Sequence, residues 1–184
     1  ELMSMGFRGE ALYSIAAVSD ILLRSKTKKS DAWEIHLQAS ERLSLKPTAL
    51  SSHGTEIKIT QLFFNTPARR KFLKTTTAEM QSIMNVFQPY CLLYPLKRFL
   101  LTHAGKTLID LSPSANAIDR MSQALNINAS DLMEASEQFD EIGVKVRMIL
   151  SNINVQRPRR DLQFIFVNNR PVENRNLSFN MNDV

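Results

Sequence analysis

Gly6-Phe7-Arg8-Gly9-Glu10-Ala11-Leu12-Tyr13-Ser14-Ile15-Ala16-Ala17-Val18-Ser19 opens on two glycines and then changes its periodicity. Ala11, Leu12, Ile15, Ala16 and Val18 recur at helical spacing, which predicts a glycine-containing loop opening into a helix over residues 10–18. Glycines at a helix start let backbone approach a ligand closely, and the amide groups with the positive end of the helix dipole suit a phosphate. The dipole alone contributes about 0.3–1 kcal/mol for a surface charge and up to about 2 in a partly buried site, so neighbouring groups must supply the rest. The competing reading of such a glycine pair is an ordinary turn.

Outward from this stretch, residues 21–24, 32–37 and 55–59 read as strands, with Ile57 and Ile59 alternating against Lys58 and Thr60. The segments 25–30 and 46–54, rich in Lys, Ser, Thr and Pro, read as turns. Thr76 followed by Glu79 is a capping-box spacing that starts a helix. Met80, Ile83, Met84, Phe87 and Cys91 lie along one buried face of it, and Pro89 is expected to end or kink it. Residues 99–102 and 107–111 form a hairpin about Ala104-Gly105-Lys106. Ser112-Pro113-Ser114-Ala115-Asn116 marks the domain junction. Beyond it, Ile118, Met121 and Leu125 mark a helix, residues 131–139 a second short one, and residues 144–150 a strand. Residues 162–167, apolar almost throughout, read as a central strand covered on both faces.

The 184 residues amount to one or two ordinary domains, and with 43% hydrophobic and 22% charged residues they exclude collagen, coiled coil and bulk disorder. A single cysteine cannot form an internal disulfide, and three histidines without a second cysteine leave no zinc-type cluster. The apolar runs fall far short of the roughly 20 residues of a membrane span, so no membrane partner is expected. A net charge of +5 is compatible with a polyanionic partner. No P-loop, dinucleotide fingerprint or nucleophile elbow is present, and no catalytic residue can be assigned. Two basic clusters stand out. Arg69-Arg70-Lys71 follows a Pro turn; the second cluster comprises Arg157, Arg159 and Arg160 with Arg170 and Arg175. Arginine forks match phosphate oxygens and give affinity without sequence readout.

The opening stretch, then Gly54-Thr55, then Leu62-Phe63-Phe64-Asn65-Thr66-Pro67-Ala68-Arg69-Arg70-Lys71-Phe72-Leu73, and finally Phe166-Val167-Asn168-Asn169-Arg170-Pro171-Val172, resembles in order the motifs of MutL-type DNA mismatch repair proteins, members of the GHKL ATPase superfamily. The resemblance implies a chain of mixed α+β and α/β class that is a fragment of the family's N-terminal region. Residues 1–112 would be the second half of a GHKL (Bergerat) ATP-binding α/β sandwich with its ATP lid. Residues 113–184 would be a truncated, ribosomal-protein-like βαβ transducer domain that binds DNA. It also implies that Gly6, Phe7, Arg8, Gly9, Glu10, Ala11, Leu12, Gly54 and Thr55 bind ATP, and that Arg175, with Arg159, Arg160 and Arg170, contacts DNA.

The family's catalytic Glu and magnesium-binding Asn belong upstream of the lid. ATP and Mg2+ are therefore expected in the intact parent, with none bound to this fragment, which should not hydrolyse ATP alone. The implied partners are the backbone of double- or single-stranded DNA, a MutS-like mismatch sensor, a downstream nuclease or helicase, and a second N-terminal half in an ATP-dependent homodimer. The compartment would be a bacterial cytoplasm or a nucleus. The rival expectation is a stand-alone basic nucleic-acid-binding module without ATPase activity. Asn169 and Glu173 depart from the family pattern. Asparagine tolerates a left-handed backbone, so the turn at Asn168-Asn169 is expected to be kept.

Overall fold

The computed structural model describes residues 10–155 and 162–174. The chain divides into two compact units, Glu1–Thr76 and Thr77–Val184. The division falls ahead of the junction that residues 112–116 mark in the sequence.

In the first unit, helix α1 (Ala11–Ala16) is followed by strands β1 (Asp20–Lys26), β2 (Ala32–Gln38), β3 (Glu41–Thr48) and β4 (Gly54–Thr60), then by the short helix α2 (Pro67–Lys71). The strands form one antiparallel sheet in the order β3-β2-β1-β4. Alternation sorts the side chains by face. Ile21 and Leu23 lie level with Leu37 and Ile35 on one side and with Ile59 and Ile57 on the other, which makes one face apolar. Asp20, Leu22 and Arg24 lie level with Gln38, His36 and Glu34, and with Thr60, Lys58 and Glu56, on the opposite, largely polar face. Helix α1 packs on the apolar face, burying Ala16 and Ile21.

Strand β3 corrects the reading of residues 46–48 as a turn. Pro47 is tolerated because β3 is an edge strand, whose outer amides have no ladder partner to lose. The β2–β3 turn is made by Ala39 and Ser40, both left-handed with φ of 50° and 68°, a conformation that glycine or asparagine would have announced.

The second unit begins one residue into α3 (Thr76–Leu93), and continues with a hairpin of β5 (Phe99–His103) and β6 (Lys106–Leu111), helix α4 (Ala117–Leu125), a hairpin of β7 (Leu132–Phe139) and β8 (Val144–Ser151), and the two-residue strands β9 (Phe166–Val167) and β10 (Arg170–Pro171). Pro89 lies inside α3 and does not end it. The Asn116 side chain accepts from the Asp119 amide at 2.9 Å and donates to the Asp119 carboxylate at 2.9 Å, while Asn126, left-handed at φ 54°, closes the helix.

Residues 132–139 are a strand, not the expected helix. Met133, Ala135 and Phe139 lie level with Leu150, Met148 and Val144 across the hairpin, and this cross-strand pairing overrides a segment ambiguous by local pattern. Of the central strand expected over residues 162–167, only Phe166–Val167 is a strand, and among the described residues it pairs with Arg170–Pro171 alone. The core joins Leu92, Leu125, Ile127 and Leu132 to partly buried Ile118, Met121, Phe164 and Phe166. These contacts tie α3, α4 and the start of β7 together.

Candidate nucleotide and nucleic-acid sites

Helix α1 ends against its own sheet through specific bonds. The Ser19 hydroxyl donates to the Ile15 carbonyl at 2.6 Å, the Ser40 amide to Ala16 at 3.0 Å and the Ala39 amide to Ser19 at 3.2 Å. The C-terminus of α1 is thereby fixed on the β2–β3 turn. Its first residues, Glu10, Ala11 and Leu12, are exposed, and Glu10 supplies no side-chain cap to the helix start. Beneath the helix a cavity of about 120 Å³ is lined by Leu12, Tyr13, Ala16, Ile21, Leu23 and Leu37. Ser40 also borders it, and its buried hydroxyl has no hydrogen-bond partner among the described residues.

Gly54 and Thr55 open β4, paired with Lys26 and Ser25 of β1. Gly54 has φ +148°, and a Cβ built there meets nothing within 4 Å. The Thr55 hydroxyl lies 2.9 Å from that of Ser25. Register places Thr55, Ile57 and Ile59 on the same sheet face as Ile21 and Leu23, the face that α1 covers. Residues far apart in sequence, the start of α1 and Thr55, thus belong to one side of one sheet. Gly6, Phe7, Arg8 and Gly9 lie outside the described residues, as do Arg159, Arg160 and Arg175.

Arg170 belongs to the second unit and begins β10, level with Val167. Asn168 and Asn169 make the turn before it, both left-handed with φ of 49° and 61°, so asparagine does keep this turn. Arg170 is half-buried.

The polar sheet face was not legible as a site. Asp20 receives the Gln38 amide at 3.2 Å and holds the His36 ring nitrogen within 3.0–3.1 Å. Beside it, Glu34 bonds Arg24 Nε at 2.7 Å and Lys46 Nζ at 3.3 Å. The hydrogen bond from Arg24 is the main reason that the Glu34 carboxyl is held below the ordinary carboxylate value, with Lys46 adding to it. These partners meet through strand register, a signal no single segment carries. Among the described residues no group of three or more His, Cys, Asp or Glu side chains is placed to hold a metal ion, and no helix is long and apolar enough to cross a membrane.

Residues 121–184 match the family profile described as DNA mismatch repair protein, C-terminal domain. The chain is 35% identical to the DNA mismatch repair protein MutL of Thermodesulfovibrio yellowstonii over 173 residues, covering 94% of this chain and 31% of the relative. It is 36% identical to the MutL of Rickettsia bellii over 182 residues, covering 94% and 29%. The chain therefore spans about a third of the length of these relatives. Among solved structures it is similar to the Aquifex aeolicus MutL ATPase domain complexed with ADP, with a TM-score of 0.81 and 28% identity over 95% of this chain and 67% of that one.

Proposed function

This chain belongs to the MutL family of DNA mismatch repair proteins, and on that premise we propose that it forms part of an ATP-binding clamp that couples a nucleotide to DNA contact. The sheet is related in fold to an ATPase domain solved with ADP. The observation that carries the nucleotide half is the common sheet face of α1 and Thr55. The fit is good: Gly54 leaves its surroundings open, and the exposed start of α1 offers backbone to a phosphate. Residues 6–12 with Gly54 and Thr55 would hold the nucleotide. A bound Mg2+ would neutralise phosphate charge.

The DNA half rests on arginines after the family-matched hairpin, Arg170 and Arg175, with Arg159 and Arg160 beside them in sequence. Their chemistry suits backbone phosphates of either duplex or single strand. A MutS-like sensor, a downstream nuclease or helicase, and nucleotide-dependent pairing of two N-terminal halves complete the proposed assembly, in a bacterial cytoplasm or a nucleus. The chain by itself is proposed to be without ATPase activity, because it carries no assignable catalytic residue.

Thr55→Val in the full-length protein tests the site. It removes a hydroxyl and keeps a β-branched shape suited to a strand. Weaker binding of a fluorescent ATP analogue is expected; unchanged affinity would sink the assignment. Arg175→Glu is expected to weaken duplex binding and to make its salt dependence shallower by about 0.9 in the log–log slope.

A further inference from the structure

The basic helix α2 has no role in this reading, although its surroundings are built with care. The turn before it, residues 61–66, is pinned to the end of α1. The Phe63 amide donates to the Val18 carbonyl at 2.6 Å, and the Asn65 side chain donates to the Ala17 carbonyl at 2.8 Å. Two non-glycine residues of this turn, Gln61 and Phe63, are held left-handed with φ of 53° and 62°. A conformation that disfavoured persists only where its surroundings hold it.

What the turn presents is Arg69, Arg70 and Lys71, all exposed, on a helix of five residues. The cations occupy the last turn, where the dipole favours positive charge. Residues 57–78 contain no Asp or Glu. Ion pairs of the described residues include those of Arg24, His36, Lys46, Arg98 and Arg147, and none of these engages Arg69, Arg70 or Lys71. Phe72 follows directly and is 85% exposed. At i,i+3 spacing Arg69 and Phe72 share a side of the helix. A guanidinium beside an open aromatic ring matches the two features of unpaired nucleic acid, a phosphate and the face of a base.

We propose that Arg69, Arg70, Lys71 and Phe72 form a second nucleic-acid contact, specific for single-stranded DNA, in the unit that carries the nucleotide site. Arg69, Arg70 and Lys71 neutralise backbone phosphates and Phe72 stacks on a base. The choice of DNA among polyanions rests on the repair reading above; the surface itself does not. Duplex DNA offers the cations phosphates but offers Phe72 no free base.

The experiment uses the full-length protein, binding a labelled oligothymidylate or a duplex across a salt series. Arg69→Ser/Arg70→Ser/Lys71→Ser should lower the single-strand salt slope by about 2, from about 0.7 for each phosphate released, and lower affinity on the order of tenfold or more at low salt. Arg69→Lys/Arg70→Lys should retain the slope. Phe72→Ala should weaken single-strand binding on the order of tenfold and leave duplex binding unchanged. An oligonucleotide carrying 5-iododeoxyuridine should photocrosslink to the peptide containing Phe72 in the wild-type protein, a readout independent of variant folding. Unchanged affinity and slope in the triple serine variant, or a crosslink absent from that peptide, overturns the proposal. If Arg175→Glu still weakens duplex binding in that case, the repair reading stands without this surface. If it has no effect either, both fail.

Discussion

Glu34 in the first unit and Arg120 in the second are both nearly inaccessible charged side chains, at 6% and 0% exposure, and they are kept in place differently. Glu34 faces opposite charge from the neighbouring strands β1 and β3, through Arg24 and Lys46. Arg120 has no carboxylate partner among the described residues. Its Nη2 donates to the carbonyls of Pro95 and Lys97, its guanidinium lies 5.7 Å from the centre of the Phe99 ring, and its Nε and Nη1 find no partner among the described residues. Burial pulls the Arg120 guanidinium below its ordinary value, whereas the bond to Glu34 raises that of Arg24. One charge is balanced by charge and is replaceable by any group that ends the pairing cleanly. The other is held by backbone dipoles, so it fixes the path of the chain after α3. Pro95 shows this: its carbonyl also accepts the Ser114 amide at 2.9 Å.

The two units carry separate reporters. Trp33, the single tryptophan, belongs to β2, and Cys91, the single cysteine, is buried in α3. Burial also pushes the Cys91 thiol up to about 11, so its labelling near neutral pH requires the second unit to open.

The largest effect is expected from Arg120→Ala, about 3–5 kcal/mol, since it empties a packed site and strands at least the Lys97 carbonyl. Urea should then expose Cys91 at a lower concentration while the Trp33 transition stays put. Arg120→Met keeps most of the volume and abolishes the orphaned N–H groups, so it should cost less, about 1–3 kcal/mol. If the two variants are equally destabilised, the carbonyl contacts rather than the packing dominate.

Glu34→Ala should lower the Trp33 midpoint by less, because Lys46 is 63% exposed and Arg24 is 35% exposed, so both can return to water. Movement of Cys91 reactivity instead would erase the contrast between the units.

The acid response comes next. Glu34 has a lowered folded-state value, so its contribution is full above the unfolded carboxylate range, roughly pH 4–5, and is lost as pH falls through the folded value. Glu34→Gln should flatten the acid limb of the Trp33 signal alone. In the second unit Asp131 is held down chiefly by the Asn152 amide and Glu134 by the Arg147 guanidinium, so Asp131→Asn should flatten the acid limb of Cys91 accessibility instead, followed with a pyridyl disulfide reagent that reacts with thiols in acid. Equal flattening of both signals by either variant would mean the units do not titrate separately.

The smallest expected effect is a gain. Ala104 is left-handed at φ 47° before Gly105 at φ 76°, and Ala104→Asn should stabilise the β5–β6 hairpin by about 0.5–1 kcal/mol. A lower Cys91 midpoint for this variant would count against the turn assignment.

Much of the fold was legible because local chemistry and tertiary structure agree. The Ala11–Ile15 spacing gave α1, the alternation at Ile57 and Ile59 gave β4, and Asn168-Asn169 gave the last turn. Where they disagree, the reading failed. Strand β3 carries Pro47 and is announced by no glycine turn, and β7 becomes a strand only against β8. Of the candidate site, Gly54 and Thr55 were visible as residues, but the placement of Thr55 on the sheet face covered by α1 was not.

The sequence by itself determined periodicity, turn chemistry, the absence of a disulfide and the ordered motifs that carry the family, because each is written within a short stretch of chain. Only the tertiary structure decided which charges are buried, that Glu34 meets Arg24 and Lys46, and that Arg120 closes on the Pro95 and Lys97 carbonyls. Those pairings span strands and helices, and their strength depends on register and lost solvent, quantities that do not exist until the chain has folded.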